Sequence, residues 1–375
     1  MIPFAGGNAA AANGLIGVQL TKDDKRSQEE LNMGRACDFA IFILSRMPRK
    51  PALLTLCLWA AVIAPSSTGP AVAADTIRLA VQKTGTVTWE LAVIRARGLD
   101  KQQDLAIETM ELASPEAGRI ALRGGSADIV VSDWLWVSRE RTLGAKLVFY
   151  PYSSALGAVM ALPTSSVRSL ADLRGKKLAV AGGPIDKSWL LVQAAMKQDG
   201  IDLKTEATIV YGAPVLLAEK TLQGEMDATL NYWNICADLE ARGLRRVADV
   251  EDMLRKLGAT GRPAMIGYVF DEAWANRNSD AVARFLAAAR QAKDILVTSD
   301  AEWERIALLA GIRDPSTLGV YRDRYRAGIA RRPIAEEEAD ARILYRVLAK
   351  EGDRGLVGPA RELAPGTFYR PPSGD

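Results

Sequence analysis

The sequence predicts an α/β protein of two similar lobes facing each other across a cleft, and three observations lead there. Short β-patterned runs alternate with helical ones along much of the chain, the signature of parallel βαβ units. Leu79-Ala80-Val81, a turn at Gly85 and Trp89 reappear as Leu178-Ala179-Val180, a turn at Gly182-Gly183 and Trp189. Gly125, Asp128 and Trp134 reappear at the same spacing as Gly224, Asp227 and Trp233. A duplicated strand-turn-helix unit implies duplicated lobes, and open α/β sheets take their ligands at the carboxyl ends of the strands.

Composition sets the outer bounds. At 375 residues, 49% apolar and 25% charged, the chain is long enough for two domains with real cores. A formal charge of +3, with no basic run interleaved with aromatics, excludes a nucleic-acid footprint. The densest basic stretch, Arg322 to Arg332, reads as a solvated face. Met47-Pro48-Arg49-Lys50, an apolar run over 52–64 and Ala71-Val72-Ala73-Ala74 have the order of a secretory signal. The run is shorter than the roughly 20 residues needed to span a bilayer. We therefore expect a cleaved signal over 47–74, a gene-model extension over 1–46 and a periplasmic protein. Cys37 and Cys57 precede the cleavage point, which leaves Cys236 alone and no intrachain disulfide.

The elements follow in order. Residues 76–82 alternate and meet a glycine turn, so they read as a strand; a helix from Trp89 stops at Gly98. A strand over 105–112, a helix over 115–123 ended by Gly124-Gly125, and a buried strand over 128–132 complete the first unit. Strands over 146–150 and 158–162 lead to a short helical turn over 169–175. The second unit repeats the plan with strands over 177–181, 207–211 and 228–231 and helices over 187–198 and 215–223. An apolar strand over 264–270 returns to the first lobe. A 3.6-residue pattern over 280–297 opens a helical C-terminal part, in which Pro333 and Glu336-Glu337-Glu338 mark a helix start. The expected lobes are 75–160 with 266–375, and 161–265.

The chain contains no histidine, which excludes Ser-His-Asp and Cys-His triads, histidine-bound metals and the commonest general base. Glycine between a strand and a helix lets backbone N–H groups face a ligand. Thr84, Gly85, Thr86 and Thr88 are such positions in the first lobe, and Gly182, Gly183 and Ser188 in the second. Trp134 and Trp233, just past their strands, serve either as core or as cleft lining; Trp89 and Trp189 read first as core. Asp133 and Asp186 suit a cationic ligand group, although Asp186 is equally an N-cap and Lys187 equally solvated. The expected ligand-binding set is Thr84, Gly85, Thr86, Ser132, Asp133, Trp134, Gly183, Asp186, Trp189, Asn231, Tyr232, Trp233 and Tyr268.

The stretches 121–130 (ALRGGSADIV), 169–180 (SLADLRGKKLAV) and 221–228 (TLQGEMDA) resemble the nitrate, sulfonate and taurine type of solute-binding proteins, the NMT1/THI5-like family, over about 75–295. The resemblance implies a type II periplasmic-binding-protein-like fold with two hinge crossings, near 158–163 and 264–270. It also implies closure around a small organic solute and delivery to ABC permease subunits, with no cofactor, no chemistry and a monomeric chain. The turn Gly182-Gly183-Pro184-Ile185-Asp186 departs from the hydroxyl-rich turn of sulfonate and nitrate binders, because Pro184 removes a donor. Two other roles compete: an accessory or sensor protein presenting a ligand to an enzyme or receptor, and a histidine-free enzyme.

Overall fold

The computed structural model describes residues 74–82, 85–352 and 354–372; the expected extension, the expected signal up to Ala73, and Thr84 lie outside the described residues. The first lobe runs β1 (Asp75–Gln82), α1 (Val87–Arg97), α2 (Leu99–Gln102), β2 (Leu105–Leu112), α3 (Pro115–Arg123), β3 (Ile129–Asp133), α4 (Trp134–Thr142) and β4 (Leu147–Ser153). The second runs β5 (Ala158–Ala161), β6 (Lys177–Ala181), α5 (Lys187–Gln198), α6 (Leu203–Glu206), β7 (Thr208–Gly212), α7 (Pro214–Leu222), β8 (Ala228–Asn231), α8 (Trp233–Ala241), β9 (Arg245–Asp249) and α9 (Val250–Lys256). Then come β10 (Ile266–Asp271), α10 (Glu272–Arg277), α11 (Ser279–Thr298), α12 (Asp300–Ala310), α13 (Pro315–Ala327), α14 (Ile334–Glu351) and α15 (Arg354–Val357).

The two sheets have matching orders, β2-β1-β3-β10-β4 and β7-β6-β8-β5-β9. In each, the fourth strand arrives from the other lobe and pairs antiparallel on both sides. The chain therefore crosses over 154–157 and again over 257–265. This moves the first boundary: all of β5 belongs to the second sheet, because its pairing with Asn231 and Asp249 begins at Ala158.

The duplicated Gly-x-x-Asp motif is a strand clamp. Gly125 and Gly224 take positive φ, 71° and 76°, and turn the chain into β3 and β8. Asp128 then accepts from the Arg78 amide at 2.8 Å while its own amide donates to the Arg78 carbonyl at 2.8 Å. Asp227 does the same with Lys177, at 2.8 and 3.0 Å. Each aspartate fixes the register of its strand on the lobe's central strand. In β1 the alternation sends Ile77, Leu79 and Val81 into one core with α1 and α11, and Ala80 into the other. Each fully buried aliphatic side chain contributes about 1.5–3 kcal/mol.

The C-terminal helices do not belong to the first lobe alone. Helix α13 packs on α8, where Arg324 Nε donates to Glu240 at 2.9 Å. Helix α14 packs on α5 and also places Tyr345 against Trp134, 6.4 Å between rings. The tail returns to the first sheet, the Phe149 amide donating to the Thr367 carbonyl at 2.8 Å. The basic stretch is an ion-paired face: Arg322 and Arg326 meet Asp300, Arg331 meets Asp294 and Arg332 meets Asp340.

Candidate ligand-binding cleft

Strand-turn-helix units aim helix N-termini at the carboxyl ends of the sheets, so the duplicated plan delivers six of them to the region between the lobes. Four, those of α1, α3, α7 and α8, line a chamber of about 610 Å³ through Gly85 and Thr86, Ser114 and Pro115, Ala213 to Val215, and Tyr232 to Ile235. Among the described residues, no side chain caps the free amides of α1, α7 and α8, whereas Ser114 caps its own helix, accepting from the Ala117 amide. Between these N-termini the wall is mostly apolar: Val81, Leu112, Val131, Val215 and Ile266, with the ring of Trp233. Uncapped N-termini favour a negative or acceptor-rich group, by about 0.3–1 kcal/mol each.

The other two N-termini, of α4 and α5, open on a side compartment of about 360 Å³ that shares Gln82, Pro115, Val131, Tyr232 and Ile266 with the chamber. Here carboxylates already cap the helices, Asp133 accepting from the Trp136 amide at 2.8 Å and Asp186 from Trp189 at 3.2 Å. Asp133 Oδ2 also accepts from Arg119 Nη2 and, across the lobes, from Lys187 Nζ, each at 3.3 Å. Burial pushes the Asp133 carboxyl up, but Lys187 and Arg119 outweigh it and hold it below the usual carboxylate range. Burial opposes the charge on Lys187 too, yet Asp133 and Asp186 hold its ammonium above its ordinary value. Asp186 moves up through burial. Lys187 is thus an inter-lobe ion-pair partner rather than a solvated side chain. The Tyr232 hydroxyl is pushed up to about 12 by burial and by Asp186. Gly182 carries φ 84°, and a Cβ there would collide with the Tyr232 hydroxyl and the Asp186 carboxylate; glycine is required at this approach.

The structure brings together Gly85, Thr86, Tyr232 and Trp233 in the chamber, and Ser132, Asp133, Asp186 and Tyr232 in the side compartment. It takes others out. Trp134 is fully buried and its indole donates to the Ala264 carbonyl at 3.0 Å. Trp189 is fully buried, its indole donating to the Tyr211 hydroxyl at 3.1 Å. Buried Asn231 ties two helix starts together, donating to the Pro214 carbonyl at 2.9 Å and accepting from the Tyr232 amide. Tyr268 lies behind the cleft, donating to Glu90. Gly182 rather than Gly183 reaches the side compartment. The expectation missed Tyr152, Val215, Asn234 and Ile235 of the chamber. It also missed a signal in plain view: Ser114-Pro115 and Ala213-Pro214 each follow a strand with proline at the first helical position, a second duplicated pattern.

Among the described residues no helix is long and apolar enough to cross a membrane, and no group of three or more potential ligands could hold a metal ion. Residues 89–302 match the sequence family described as NMT1/THI5 like. No curated protein matches. Among solved structures, the periplasmic aliphatic sulphonate binding protein SsuA from Escherichia coli is 21% identical with a TM-score of 0.64, over 79% of this chain and 92% of that one. The alkanesulfonate-binding protein SsuA from Xanthomonas axonopodis pv. citri bound to MOPS is 19% identical with a TM-score of 0.59, over 79% and 98%. The desulfurization enzyme DSZB is 15% identical with a TM-score of 0.51, over 78% and 97%. These likenesses establish the two-lobed type II binding-protein fold.

Proposed function

The chain belongs to the NMT1/THI5-like family, and on that premise we propose that it is the exported, periplasmic solute-binding protein of an ABC importer. It captures a small organic solute between its lobes and hands it to permease subunits at the membrane. The observation that carries this reading is the chamber, apolar in its walls and bordered by the N-termini of α1, α7 and α8, which no described side chain caps. Its solute has an apolar body and an anionic or acceptor-rich head. Pro184 does not weaken that preference, because the chamber's donors come from α1, α7 and α8, away from the turn Pro184 occupies. The sulfonate-binding proteins of the same fold support the same head-group chemistry.

Binding is favoured over chemistry by what lines the cleft. The sequence contains no histidine, and the buried thiol of Cys236, pushed up to about 12 mainly by burial, points away from a nucleophile's role. Micromolar affinity requires about 8 kcal/mol, within reach of a stacked Trp233, apolar contacts and a few amide donors. The test is a thermal-shift and calorimetric screen of alkanesulfonates, carboxylates, amines and aromatic acids. Saturable stabilisation by an anionic class, weakened by Val215→Asp at the chamber rim, is expected. Silence from every class, together with turnover of any one compound, would overturn the reading.

A further inference from the structure

A second cavity, of about 340 Å³, lies among β4, β10, α11 and the segment 329–334, and shares no lining residue with the chamber or its side compartment. Tyr268, Leu286 and Pro333 give it an apolar floor, and Arg290, Lys293, Arg331 and Arg332 give it four cations against the single carboxylate of Asp294. Two of the four are committed elsewhere. Arg332 pairs with buried Asp340 at 2.7 Å and donates to Thr260. Lys293 pairs with buried Glu90 at 2.7 Å and stands 4.5 Å over the ring of Tyr152, one side-chain layer from the chamber.

The other two are available. Among the described residues Arg331 meets only Asp294, through one nitrogen at 2.6 Å, and both side chains are more than half exposed, 56% and 59%; such a pair contributes little and exchanges readily. Arg290 is exposed and has no ion-pair or hydrogen-bond partner among the described residues. Guanidinium groups bind carboxylates through paired N–H donors, and the volume suits a small molecule. We propose that this cavity is a second binding site, for a small organic carboxylate whose apolar body rests on Tyr268, Leu286 and Pro333 and whose head is taken by Arg290 and Arg331.

The test uses benzoate, with uncharged benzamide as its control, titrated calorimetrically into the full chain, the Arg290→Glu/Arg331→Glu variant and Val215→Asp. Exposed arginines are replaced, so the fold survives, and circular dichroism checks it; Arg331→Gln serves as a milder second variant. Expected are saturable binding of benzoate and none of benzamide, about a tenfold or greater weakening in the double arginine variant, and undiminished binding in Val215→Asp. Absence of saturable benzoate binding, or binding unchanged by the arginine substitutions, overturns the proposal. Loss of binding in Val215→Asp, whatever the arginine variants do, assigns benzoate to the chamber and overturns it as well.

Discussion

Replacing Lys187 with methionine isolates the ion pair with Asp133 that joins the lobes inside the cleft. The ammonium of Lys187 lies 3.3 Å from Asp133 Oδ2, and its side chain is 26% exposed against 8% for Asp133. Two unit charges at that separation attract by about 5 kcal/mol at an effective dielectric of 20, and desolvation of both groups offsets most of it. Methionine keeps the apolar stem and leaves Asp133 with Arg119 and the Trp136 amide, so no carboxylate is stranded. The net loss is about 1–2 kcal/mol, roughly tenfold in the balance between closed and open lobes. Stopped-flow fluorescence of the ligand complex should show dissociation about tenfold faster with association little changed, and small-angle scattering should show a wider particle without ligand. The sign with pH follows from the depressed Asp133 carboxyl: the pair's contribution is complete above the unfolded carboxylate range, and is lost as pH falls through the lower folded value. The variant loses part of that acid limb. Unchanged dissociation and superimposable scattering would refute the inter-lobe role of the pair.

The strand clamps predict unequal costs in urea unfolding: Asp227→Ala loses about 1–2 kcal/mol, and Asp128→Ala up to about 1 kcal/mol more because it also gives up the bidentate contact with half-exposed Arg78. Equal costs would count against the Arg78 contribution. Trp134→Ala should destabilise by about 3–5 kcal/mol, whereas Trp233→Ala, at a half-buried wall residue, should weaken solute binding more than it weakens the fold. The reverse ranking in melting and titration experiments would reject this division. Glu337 is held up to about 7 by burial, against the Ala264 amide and Arg332. Between its unfolded value near 4.5 and about 7 the folded chain keeps a proton the unfolded chain has lost, so stability falls as pH rises across that window. Glu337→Gln should flatten that limb and gain up to about 3 kcal/mol at pH 8; parallel pH profiles for variant and parent would contradict it.

Much of the fold was legible because it is local. Alternation in β1, the left-handed stop at Gly98 and the proline start at Pro115 depend on neighbours within one turn or one strand. The same reading could not separate Trp134 from Trp233, which occupy equivalent first helical positions. Their fates are set by residues distant in sequence: Tyr345 and the Ala264 carbonyl enclose the first, while the second has Tyr321 and Tyr325 on one side and the chamber on the other. Tyr268 escaped for the same reason, its hydroxyl being claimed by Glu90 from another element. Asp128 and Asp227 carried a duplicated signal that concerns register rather than ligands, and the duplicated Ser114-Pro115 and Ala213-Pro214 carried one that concerns the chamber. Repetition in sequence announces shared architecture, and side-chain environment decides which copies face a ligand.

The two helices astride the lobes change the mechanics of the hinge. With only the crossings at 154–157 and 257–265, the lobes would swing like a door on two pins. Instead Trp89 of one lobe and Trp233 of the other meet edge to face, 6.0 Å between rings, and α13 packs Tyr321 and Tyr325 against both, with ring centroids 6.0 to 6.3 Å apart, while α14 bridges α5 and Trp134. Swinging wide wets these rings, each able to bury about 150–250 Å², so the door is sprung toward its frame. A solute then meets lobes already held close, and more of its contact energy remains to keep it in place.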